Sequence, residues 1–368
     1  MTFSLIKPLF EGPIDIIGDV HGELEALTAL LFRLGYSEQG VHPSGRRLVF
    51  VGDLCDRGPD SPGVIRTVMN LVAAGRAQCV LGNHELNLLL GKRRQGNHWF
   101  EGLSEDPAHP QLGACVPLDP SKQTEVLDFI SALPLGLERE DLRVVHAAWH
   151  EPSIEIARRI PDSVAEAYRR IEEAIEDSEE GRALHKAAAR AQHKLSALIT
   201  NPDTKWGPEH HNLIASMGAF GQLMQMANPI RVITSGLETL AETPFFSAGK
   251  WRFVTRVPWW RDYEGTTTVF GHYWRWYSDT GHQLYNQGIP ALFSGEPPYM
   301  TEDHKAFCID FSVGGRTKER SVKAQPPFHS RLAALRWPER VIVYDADAAG
   351  PVQREYCSEA LSACPSGA

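Results

Sequence analysis

The chain has 368 residues, of which 42% are hydrophobic and 23% charged, and it carries a formal net charge of −9. This ordinary globular composition excludes disorder and an extended coiled coil, and the acidic balance excludes a surface built along a nucleic-acid polymer, which needs a basic stripe. No run of about 18 apolar residues would span a membrane, the six cysteines are scattered as reduced thiols, and the opening apolar run is too short for a secretory signal, so a cytoplasmic protein is expected.

In chain order, residues 14–17 form a short apolar run that breaks into Gly18-Asp19-Val20-His21-Gly22, and a helical pattern follows over 23–34. The theme repeats with a run at 48–51, a loop at 52–59 and a helical stretch at 62–74, then with 77–81, a loop at 82–85 and apolar 86–90. Strands alternating with helices predict βαβ units and an α/β core. A helix is expected at 125–133 and a strand at 142–145. From about 154 to 228 Glu, Arg, Lys and Ala dominate with helical spacing, which reads as an inserted helical cap. Strand-like runs return at 231–234, 251–254, 267–270, 306–309 and 340–344. The expected division is a core of 1–153 and 229–350, a cap of 154–228 and a flexible tail of 351–368.

Five apolar runs each end in a metal-ligand type: Asp19 and His21, Asp53, Asn83, His146 and His272. Ligands gather at the carboxyl ends of strands in open α/β sheets, so residues far apart in sequence can converge there. Six such groups suit two metals, and mixed carboxylate, imidazole and amide donors favour Mn, Fe or Zn over Ca. Taken singly, an Asp-x-His or Gly-His pair is more often a turn; the coincidence of five carries the weight.

The blocks Gly18-Asp19-Val20-His21-Gly22, Gly52-Asp53-Leu54-Cys55-Asp56-Arg57-Gly58 and Gly82-Asn83-His84-Glu85, followed by His146 and Gly271-His272, resemble the phosphoprotein phosphatase superfamily of metallophosphoesterases. Cys308-Ile309-Asp310 with Gly314-Gly315, and the run at 332–336, are similar to its bacterial branch around diadenosine tetraphosphatase. The resemblance implies a calcineurin-like αββα sandwich of two mixed sheets flanked by helices. It also implies two divalent ions, Mn first and Fe or Zn as alternatives, with Asp19 and His21 on one, Asp53 bridging, and Asn83, His146 and His272 on the other. A metal-bridging hydroxide would attack in line, His84 oriented by Asp56 would protonate the leaving oxygen, and Arg57 would grip phosphate. Relatives place a second arginine just before the last histidine block, where this chain has Val269 and Phe270. Arg256 and Arg275 are the candidates for that role.

The sequence therefore predicts a hydrolase of phosphomonoesters, on a phosphorylated protein or a small molecule, with a dinucleoside polyphosphate hydrolase as the alternative. A silent binding module ranks lower because every chemical position is intact. The aromatic residues Trp259, Trp260, Tyr263, Tyr273, Trp274, Trp276 and Tyr277 are expected mainly in the core, with base stacking as the rival reading. No nucleic-acid or membrane partner is expected.

Overall fold

The computed structural model describes residues 4–247, 249–277, 292–322 and 328–346. The expected tail at 351–368 lies outside these residues. The first half alternates short strands with helices: β1 (Ile6–Pro8), β2 (Ile14–Ile17), α1 (Leu24–Leu34), β3 (Arg47–Phe50), α2 (Ser61–Ala73), β4 (Ala77–Cys79) and α3 (Asn83–Leu89), then α4 (Gln123–Ser131), β5 (Gly136–Glu138) and β6 (Arg143–Val145). Local chemistry sets the boundaries. The Asp60 carboxylate accepts from the Gly63 amide at 2.7 Å and starts α2, satisfying one of the donors that a helix start leaves open. Gly35, at φ 90°, ends α1 in the left-handed conformation.

A helix-rich segment follows: α5 (Glu151–Arg159), α6 (Val164–Asp177), α7 (Glu179–Lys194), α8 (Ser196–Ile199), α9 (His211–Met226) and α10 (Pro229–Ser235). The hairpin β7 (Glu238–Ser247) and β8 (Lys250–Arg256) comes next, then β9 (Thr268–Phe270), β10 (Ala306–Cys308), α11 (Arg316–Val322), β11 (Ala333–Trp337) and β12 (Val341–Tyr344). The strand expected at 231–234 is instead inside α10. Asn228 accepts from the Ile230 amide at 3.1 Å and Pro229 opens the helix, so a cap followed by a proline outweighs the β-branched run.

Two five-stranded mixed sheets form the body, ordered β1-β5-β6-β9-β10 and β12-β11-β2-β3-β4. In the second, β2, β3 and β4 are parallel while β11 runs antiparallel to β2 and β12. The period of two sorts their side chains. Ile14, Ile16, Val49 and Val51 join Val144, Val269 and Phe307 in a core between the sheets, whereas Ile17, Leu48 and Phe50 meet Leu27, Leu30 and Val68 of the helices. Each such buried aliphatic contributes roughly 1.5–3 kcal/mol. This is the expected sandwich of sheets between helices.

The hairpin β7–β8 pairs with neither large sheet. It rests on α9, where Gly218 approaches so closely that a Cβ would stand 2.9 Å from the Phe253 carbonyl oxygen. No helix among the described residues is long and apolar enough to cross a membrane.

Candidate active site

Strands β2, β3 and β4 of one sheet and β6 and β9 of the other all stop at the same rim, and the loops that follow them carry the site. Backbone strain concentrates here. His21, Asp53, Asp56, Arg57, His272 and Trp274 all have φ between 47° and 72°, among eight non-glycine residues with positive φ in the described chain. Such conformations cost of order 1–3 kcal/mol each and persist where the surroundings impose them. Glycines permit the crowding. A Cβ at Gly271 would lie 2.0 Å from Asp19 Oδ1, and one at Gly82 would lie 2.3 Å from the Asp53 amide nitrogen.

Asp53 stands at the centre. Its Oδ1 is 3.3 Å from His146 Nε2, and its Oδ2 is 3.7 Å from His21 Nε2 and 3.9 Å from His84 Nε2. Two buried groups within 4.8 Å could each hold a metal, His21 with Asp53 and His84, and Asp53 with His146 and His272. Asp53 belongs to both, the position a bridging ligand needs. Asp19 Oδ2 is 3.9 Å from His21 Nε2 and accepts from the His272 amide at 3.0 Å. Asn83 Oδ1 is 3.2 Å from His146 Nε2. All six expected ligands thus surround one point.

The donor chemistry fits divalent ions. His146 Nδ1 lies 2.8 Å from the Val51 carbonyl oxygen, so it donates there and turns Nε2 inward. Burial, then Arg57, pushes His21 well below the ordinary histidine range, and burial, then Arg256, does the same to His272. Neutral imidazoles are the form that binds metal. Burial pushes the Asp19 carboxyl well up, with Asp310 adding to it. A fully buried cluster of carboxylates of this kind is relieved by a cation.

His84 Nδ1 donates to Asp56 Oδ2 at 2.5 Å, and the other oxygen of Asp56 accepts from Trp99 Nε1 at 2.7 Å. Trp99 is a further member of the site. Its buried ring fixes the carboxylate that fixes His84, and no motif around residue 99 signals it. The Arg57 guanidinium reaches Nε2 of His21 and, at 2.9 Å, Nε2 of His84. Glu85 ties the loops together, accepting from the amides of Asp53 and Leu54, both at 2.8 Å.

The two candidate clamps separate. Arg256 Nη1 donates to the His272 carbonyl oxygen at 3.3 Å and lies at the site. Arg275 does not. Its guanidinium is enclosed by Phe293, Phe307 and Phe311 and donates to the carbonyl oxygens of Pro297 and Glu296. The left-handed turn at Trp274 sends the next side chain into the core, which the sequence order alone did not reveal. Asp310 also belongs here. It accepts from the Trp274 amide at 2.7 Å and the Ser312 amide at 2.8 Å and so braces the turn after His272.

Residues 12–176 match the model of the calcineurin-like phosphoesterase family. The match places a calcineurin-like phosphoesterase unit in the first half of the chain. Over 143 residues, 36% of this chain and 54% of the relative, it is 55% identical to the bis(5'-nucleosyl)-tetraphosphatase PrpE [asymmetrical] of Oceanobacillus iheyensis. Over 101 residues, 25% of this chain and 31% of the relative, it is 44% identical to a bis(5'-nucleosyl)-tetraphosphatase, symmetrical, of Ralstonia nicotianae. The chain thus spans about half the length, or less, of these curated relatives. A crystal structure of a cold-active protein-tyrosine phosphatase of a psychrophile Shewanella aligns over 94% of this chain and 83% of that one, at 15% identity and a TM-score of 0.41. The family match implies divalent ions, and the two buried His/Asp groups could hold them.

Proposed function

We propose that this chain is a metal-dependent hydrolase of dinucleoside polyphosphates. The alternative of the sequence reading thereby moves ahead of the phosphomonoester. One observation carries it. Most of the aromatic cluster is core, with Trp259, Trp260, Tyr273 and Trp276 buried, but Trp274 is half-buried, sits 4.5 Å from Arg57 Cζ and lies 6.4 Å from the His21 ring. An indole beside the phosphate-gripping arginine is a stacking surface for a base, and stacking of this kind is worth about 1–3 kcal/mol. The names of the relatives above agree with this reading.

Asp19, His21, Asp53, Asn83, His146 and His272 would hold two divalent ions, with Mn as the first choice and Fe or Zn as alternatives. When bound, such ions supply an activated water and neutralise phosphate charge. The chain's own residues do the rest. Arg57, whose fork lies against Nε2 of His21 and His84, would grip the phosphate oxygens. His84, with Asp56 holding the ring through Nδ1, would carry a proton on Nε2 and deliver it to the leaving oxygen. Arg256 adds charge from the His272 side.

The test is a parallel assay with Mn on diadenosine tetraphosphate, an aryl phosphate and a phosphoserine peptide, on the natural chain and on Trp274→Ala. The dinucleotide is expected to have the highest kcat/KM, and Trp274→Ala is expected to lower that value about tenfold, the cost of one lost stacking contact. A natural chain that prefers either monoester would overturn the reading.

A further inference from the structure

From the edge of the site, cations line one side of the hairpin strand β8 around the carboxylate of Glu238. Along β8, side chains alternate in direction with the period of a strand. Trp251 and Phe253 turn to the Trp206 ring, at 5.2 and 5.8 Å. The alternate set carries Lys250, Arg252 and Arg256, separated by strand steps of about 6.6 Å per two residues.

The row has a defined start and end. At one end Arg256 donates to the His272 carbonyl oxygen at 3.3 Å and lies 5.3 Å from the Tyr273 ring. At the other, Lys250 lies in the field of Arg94 as well as Arg252. Arg94 precedes by two residues Gly96, where an added Cβ would stand 3.1 Å from the Arg57 amide nitrogen. Arg94 thus neighbours Lys250, and Arg252 and Arg256 continue on the same side of β8 to the last histidine loop. Glu238, opposite Arg256 in the hairpin register, feels Arg256, Arg252, Arg231 and Lys250 together. Half-buried Arg252 and Arg256, with exposed Lys250, outnumber the one carboxylate among them, and a further anion would offset the excess, in a chain of net charge −9.

We propose that Arg256, Arg252 and Lys250 form a track for a polyphosphate chain, holding the phosphates beyond the one under attack. The track rests on the proposed function and deepens it, because it explains how a metal centre that suits any phosphate ester would favour a substrate with several phosphates in series. Arg252 follows Arg256 at two strand steps, about 13 Å, with Val254 between them, and Lys250 lies one step further. A monoester reaches none beyond Arg256.

The probe is inorganic tripolyphosphate, set against orthophosphate as competitive inhibitors of aryl phosphate hydrolysis by the full Mn-loaded chain. The track predicts inhibition by tripolyphosphate at least about tenfold tighter than by orthophosphate, an advantage that shrinks with salt because it is electrostatic. In Arg252→Ala combined with Lys250→Ala the ratio of the two inhibition constants is expected to fall to near one, while Arg252→Lys keeps most of it. A ratio the double variant leaves unchanged would overturn the track, and melting curves matched to the natural chain show that the variant is folded. The outcome separates the two proposals. Loss of the ratio in a chain that does not cleave diadenosine tetraphosphate sustains the track and overturns the function, whereas cleavage of the dinucleotide with an unchanged ratio overturns the track alone.

Discussion

A histidine whose Nδ1 is committed to a carboxylate can deliver a proton only from Nε2, and His84 is held in this way by Asp56 at 2.5 Å. General-acid assistance of this kind contributes about 10²–10⁴-fold where the leaving oxygen is basic. His84→Ala is therefore expected to lower kcat on an alkyl phosphate by about 100-fold or more, and on an aryl phosphate, whose leaving group needs little help, by under about tenfold. Equal losses on both esters would remove the acid role from His84. The residues of this site were legible to different degrees. Asp19, His21, Asp53, Asn83 and His84 stand in dense blocks at strand ends, and those blocks announce themselves. Trp99 is a hydrogen bond further out, and a lone tryptophan has many commoner explanations; Asp310 stood in a block similar to the bacterial branch, but its bracing of the turn after His272 was not legible there. Arg256 was only slightly preferred to Arg275 as sequence, since the turn at Trp274 decides which guanidinium faces the centre.

At the scale of elements, the least expected feature is a carboxylate in the middle of β2. Asp15 is fully buried between isoleucines, where an unpaired charge would cost several kcal/mol. Arg46 satisfies it from both sides, with Nε at 3.1 Å from each oxygen, while Tyr36 donates at 2.8 Å. The same arginine donates to the carbonyl oxygens of Ile14 and Trp337 and so clips β2 to β11. Arg46→Ala removes the clip and strands the charge. It is expected to lower stability by about 3 kcal/mol, at the lower end for a broken buried pair because Arg336 and Tyr36 remain, read as the midpoint of urea unfolding. A loss below about 1 kcal/mol would assign Asp15 to its other partners. Most elements of the two sheets follow from their apolar runs. The segment at 229–235 did not, because Val and Ile favour strands while the Asn-Pro cap that makes it helical acts from outside the run. Of the hairpin β7–β8 only the run at 251–254 was expected, and its packing on α9 depends on small residues such as Gly218 that leave no periodic trace.

For the whole molecule, the site joins the two halves of the sandwich. Asp19, His21, Asp53 and Asn83 follow strands of one sheet, and His146 and His272 follow strands of the other, so ions held by all six would cross-link the sheets as well as serve the chemistry. Two terms make the metal-free form less stable. Asp19 feels the like charge of Asp310 and Asp53 in a fully buried setting, and the binding free energy of the ions is absent. Free ion at about 100 times its dissociation constant adds about 2.7 kcal/mol per site, and for large domains each kcal/mol moves Tm by about 2–4 °C. Strong chelation should therefore abolish hydrolysis and lower Tm by roughly 5 °C or more, with both restored by Mn. Asp19→Asn separates the two terms with opposite signs. It relieves the repulsion, so the metal-free variant is expected to melt no lower than the metal-free natural chain, yet it removes a ligand, so Mn should raise its Tm far less. A scan in which Mn shifts the natural chain and Asp19→Asn equally would take Asp19 out of the metal site, and one in which Mn shifts neither would take the ions out of the link between the sheets.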